Sequence, residues 1–159
     1  MSRRGIAATA GLLVLLLAAC GPGQEQSTGA GQAGGTPAAA APRTPAPPGA
    51  AVFFIEPANG ATVKSPVTIK FGISGMSVAP AGDPTPNTGH HHLLIDTELS
   101  DPTQPVPSDA NHLHFGKGQT EASIELPPGE HRLQLVLGDA NHVPHDPPVV
   151  SEPITITVE

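Results

Sequence analysis

Eight histidines dominate the chemistry of this 159-residue chain, and all of them follow residue 89. They fall in three clusters, His90-His91-His92, His112-x-His114 and His142-x-x-His145, with His131 alone. On a β-strand alternate side chains share a face, so His90 and His92 project together and His91 points the other way. Two parallel imidazoles are a bidentate start for a metal, and neutral imidazole suits zinc, copper, nickel and iron. A carboxylate such as Asp139 or Asp146 would orient a ligand from behind. The expected metal ligands are His90, His92, His114, His142 and His145, with His112 in reserve. The competing reading of the same residues is a pH-responsive or hydrogen-bonding rim that holds no metal. His131, opening an apolar strand, and His91 are expected to be packed and structural. Met76, the one methionine beyond Met1, is expected to fill a core gap before it serves as a soft copper ligand. No His-Glu-x-x-His helix, P-loop, dinucleotide fingerprint or calcium-loop spacing is present.

The elements that must gather these residues are strands. From residue 51 onward, period-2 segments alternate with Pro/Gly/Asn/Asp turns, which predicts an all-β domain over residues 51–159. Seven strands are expected: 52–56, 67–73, 90–96, 112–115, 122–126, 132–137 and 154–158. Twenty prolines in the chain exclude a helical bundle. Seven short strands suggest an immunoglobulin-like β-sandwich, and PANGATVKSPVTIKF (57–71) resembles the opening of many bacterial immunoglobulin-like modules. In immunoglobulin order the third strand starts where the sixth ends. His90 to His92 would then lie beside the loop Gly138–Pro147, and the turn Gly116-Lys117-Gly118-Gln119 would bring His114 to the same end. The long loop Ser74–Gly89, with Met76 and Asp83, belongs to that rim as well.

The N-terminus sets the expected compartment. Arg3 and Arg4 precede a short apolar run that ends Leu17-Ala18-Ala19-Cys20, a signal peptide and not a spanning helix. The last four residues resemble the bacterial lipobox, which implies cleavage after residue 19 and diacylation of Cys20, usually with a third chain on the new amino terminus. Two or three acyl chains anchor stably where one would not. Cys20 is the only cysteine, so the domain has no disulfide, Cys-ligated zinc site or cysteine nucleophile. Residues 20–50, rich in Gly, Ala and Pro, are expected to be a disordered linker, extended in its Pro-rich half. The location expected is the cell envelope. The whole chain has seven basic and 14 acidic residues, a net charge of −7, and loss of Arg3 and Arg4 takes it to −9. That charge disfavours nucleic acid and favours cations, and the absence of Trp and Tyr argues against an aromatic platform.

Two longer strings, FGISGMSVAPAGDPTPNTGHHHLLID and HLHFGKGQTEASIELPPGEHRLQLVLGDANHVPHDPPVVSEPITI (with QPVPSD before the latter), resemble a widespread family of small secreted bacterial domains with no assigned function, over residues 52–158. The resemblance implies a sandwich-like fold and an exported location; it supplies no activity or site. A weaker similarity is to periplasmic copper-resistance sandwiches, whose characteristic N-terminal histidine this chain lacks. Three function classes follow. The first is a lipoprotein that binds or buffers copper or zinc. The second is a protein-interaction or ligand-recognition module of the envelope without metal. The third, ranked last, is a metalloenzyme with Glu121 or Asp139 as general base.

Overall fold

The period-2 segments fold into nine strands in a computed structural model, which describes residues 43–159. They are β1 (Ala51–Glu56), β2 (Thr62–Val63), β3 (Val67–Ser74), β4 (Ser77–Val78), β5 (Thr88–Ile95), β6 (His112–His114), β7 (Glu121–Ile124), β8 (Gly129–Gly138) and β9 (Ile154–Val158). One sheet has the order β1-β3-β7; the other runs β2-β9-β8-β5-β4, with β6 also paired to β5. The pairings are antiparallel except β2 with β9 and β4 with β5. This is an all-β sandwich with immunoglobulin-like connectivity, and it contains all seven expected strands. The two additions, β2 and β4, are two residues each, too short to show alternation.

The alternation in the sequence matches what is inside. Val67, Ile69 and Phe71 of β3 face His91, Leu93 and Ile95 of β5, Leu133, Leu135 and Leu137 of β8, and Ile156 and Val158 of β9. The larger sheet is covered on its outer face too. There Leu94 and Val136 are fully buried with Val106 against the half-buried Leu99. β5 is therefore buried on both faces, intermediate only at Thr88. That is how polar side chains come to be enclosed on its outer face.

The expected signal peptide (1–19), Cys20 and most of the linker lie outside the described residues; among those described, no helix is long and apolar enough to cross a membrane. The linker was expected to run to residue 50, and here the structure differs: residues 43–50 lie on the domain. Ala46 and Ala50 pack against the core, and Thr44 and Ala46 exchange backbone hydrogen bonds with Asp146, each 2.9 Å. Composition predicts little apolar burial for such a segment, but its backbone pairs like an edge strand and its small side chains fit closely.

His91 sits in the core, its ring centroid 4.9 Å from that of Phe71, and neither ring nitrogen has a hydrogen-bond partner. Burial pushes its pKa from 6.5 down to about 4. The unfolded chain thus takes up this proton first, and stability is lost as pH falls from ~6.5 towards ~4. His91→Leu should raise unfolding stability in urea by about 1–3 kcal/mol at pH 7 and by more at pH 5. Equal or lower stability than the parent at pH 5 would contradict this account.

Candidate metal centre

Backbone register assembles the site. His90 and His92 leave β5 on its outer face; His92 is opposite His114 of β6 on one side and Val136 of β8 on the other, and His90 is opposite Gly138. β8 ends at Gly138, and the chain turns through Asp139 to present His142 over the same patch. Each of His90, His92, His114 and His142 offers a ring nitrogen, and these four atoms all lie within 4.8 Å of one another. His92 Nε2 is 3.0 Å from His90 Nε2, which is 3.1 Å from His142 Nδ1. Metal–nitrogen bonds of ~2.0–2.1 Å set neighbouring nitrogens ~3.3 Å apart in a tetrahedron and ~2.9 Å apart in a square plane. Two of the contacts already fall in that range, and the fourth nitrogen, on His114, lies within 4.8 Å of the others.

Two glycines make the convergence possible. A Cβ on Gly138 would stand 2.8 Å from His92 Nε2 and 3.3 Å from His142 Cα, and one on Gly116 would meet His114 Cε1 at 2.2 Å. The third device is Asp139. Its Oδ1 accepts the N–H groups of Asn141 (2.8 Å) and Val143 (3.0 Å), and its carbonyl accepts the His142 N–H (3.0 Å). This Asx-type turn holds His142 at φ 68°, in the left-handed region that few non-glycine residues occupy. Asp139 thus acts on His142 through the backbone and not by a bond to a ring.

The electrostatics favour neutral rings. Burial, then repulsion from His142 and His114, lowers the His90 pKa to about 4. Burial, then His90, His114 and His142, lowers that of His92 to about 3. Burial and His142 lower His114 as well. At pH 7 these imidazoles carry free lone pairs, the form that binds metal. His90 and His92 are closed off, whereas His114 is exposed and His142 half-buried, so the site opens on that side.

Four of the five expected ligands are brought together, and His145 is not. Its ring is fully buried, with Nδ1 3.3 Å from the Leu137 carbonyl, at the end of the sandwich beside Gly89. A three-residue spacing aligns side chains on a helix; in this loop, where Pro144 bridges back to Gly138, it sends them apart. His112 is held by Asp109 (Nδ1 to Oδ1, 2.8 Å). Asp146 pairs with Arg43, Asp83 caps its own turn at Thr85, Met76 packs on the core, and Glu121 lies exposed on β7 in the other sheet. The spacing gave no sign of Gly116 or Gly138, whose role is the absence of a side chain; the only signal was a glycine closing the run LQLVLG.

Gly138→Ala should shift the imidazole NMR signals of His92 and His142 and leave those of His112 and His131 in place. An unmoved His92 signal would show that the close approach is not made.

No curated protein matches the chain. Among solved structures, part of the endo-beta-1,4-mannanase from Thermotoga petrophila is similar with a TM-score of 0.41 and 15% identity, over 69% of this chain and 20% of that one. The chain thus spans about a fifth of that enzyme, and the likeness bears on neither site nor activity. The family model for "Domain of unknown function (DUF4399)" matches residues 69–159, which include every histidine of the site. With more than half of its length matched, the chain belongs to the DUF4399 family.

Proposed function

We propose that the domain binds a divalent transition metal, copper(II) or zinc(II), on His90, His92, His114 and His142, and serves as a metal-binding or metal-buffering lipoprotein of the cell envelope. The observation that carries the reading is the approach of four ring nitrogens to within 4.8 Å of one another. Three of these rings have pKa values pushed down, so they bind without first releasing a proton. Among the described residues the donor set is all nitrogen, and Met76 packs on the core, which favours copper(II) or zinc(II) over copper(I). The negative net charge of the chain (−7) would raise the local concentration of cations.

Calorimetry of the purified chain with zinc and with copper(II) should give one ion per chain, with affinity falling as pH drops towards about 4, where His90 gains its proton. His92→Ala and His142→Ala should each weaken binding by at least ~10-fold, whereas His145→Ala should lower thermal stability and leave affinity almost unchanged. No heat and no thermal shift with either ion would overturn the proposal. The anchor is tested separately. In a bacterial host the parent chain should incorporate labelled palmitate and partition with membranes; Cys20→Ser should do neither, and label retained by the variant would refute lipidation at this residue.

A further inference from the structure

The chain arrives at the domain on the very loop that carries His142. Thr44 O accepts the Asp146 N–H and Ala46 N–H donates to Asp146 O, both at 2.9 Å, with Pro45 bridging Asp146 in parallel. Arg43 donates to the Pro102 carbonyl at 3.2 Å and pairs with the Asp146 carboxylate. The decisive contact is Thr44 Oγ1, which donates to Asp139 Oδ2 at 2.7 Å. Asp139 is 5% exposed, so a carboxylate oxygen there needs a protein donor to replace water. Its other oxygen spans the amides on either side of His142. Thr44 therefore fixes the carboxylate from one side while the carboxylate fixes the His142 turn from the other. This segment precedes residue 69, where the family match begins.

We infer that Thr44 is a positioning residue of the metal site, setting His142 through Asp139, so that the segment leading into the domain is part of the site. The inference rests on the metal reading, but its mechanical half stands without it. A weaker turn at residues 139–143 leaves His142 to be ordered on binding, and the cost of that ordering appears as lost affinity.

The test uses the full chain with zinc and copper(II). Thr44→Val should weaken both ions by roughly 10-fold, the range expected when a residue supporting a ligand is lost, and should change the copper(II) EPR spectrum. Thr44→Ser, which keeps the hydroxyl, should restore both. In a His142→Ala background, Thr44→Val should cause no further loss, because the two residues act in series. Without metal, Thr44→Val should speed hydrogen exchange at the Asn141 and Val143 amides. Parent-like affinity and exchange in Thr44→Val, or an equal loss in the His142→Ala background, would overturn the inference. A parent chain that takes up neither ion would sink the metal reading instead, and the exchange rates alone would then decide whether Thr44 positions His142.

Discussion

Four imidazoles within a few ångströms of one another cannot all be charged. Repulsion and loss of solvent both act against the imidazolium, and the enclosed pair, His90 and His92, is only 0% and 1% exposed. The neutral rings then face a second restriction. His90 Nε2 approaches a ring nitrogen of His92 and another of His142, yet it has either one proton to donate or one lone pair to accept with. A cation shared among the nitrogens would satisfy every lone pair at once, and the proposed function draws on that fit.

The rest of the domain is arranged around this requirement. β5 needs cover on both faces to hold His91 inside and His90 and His92 outside without water. The inner face receives the opposing sheet; the outer one receives the Leu94, Val106 and Val136 cluster and the loop after β8. Gly116 and Gly138 then supply room where a single methyl group would collide with a ring. Asp139, tied to Thr44, supplies the turn.

His131 shows how far environment decides the chemistry of one residue type. Burial acts against its charged form, but Nδ1 lies 2.7 Å from Asp96 and Nε2 2.9 Å from the Pro127 carbonyl, and these acceptors raise its pKa above the ordinary value. Each nitrogen has a partner that takes a proton, so this ring suits the imidazolium and ties the start of β8 to the end of β5. In the quartet the rings face one another and their pKa values go down. The sequence separates His131 from the quartet by position, as a lone histidine against clustered ones, but it does not show that their pKa values move in opposite directions.

Much of the fold was legible because alternation is local. The inner-face residues of β3, β5, β8 and β9 declare themselves by period 2, and the His90–His92 pair by the same rule. The convergence of His114 and His142 on that pair followed from strand order once a sandwich was assumed. What only the tertiary structure decided were relations that no spacing encodes: which way the side chains leave an irregular loop, where a missing Cβ makes room, and which backbone an extended segment finds. Hence His142 joined the quartet while His145, three residues on, turned to Leu137, and Thr44, in a stretch whose composition suggests only a tether, came to rest against Asp139. Periodicity fixes the direction of a side chain on a strand, because the backbone there repeats; in a loop each residue's φ and ψ are set by contacts distant in the chain.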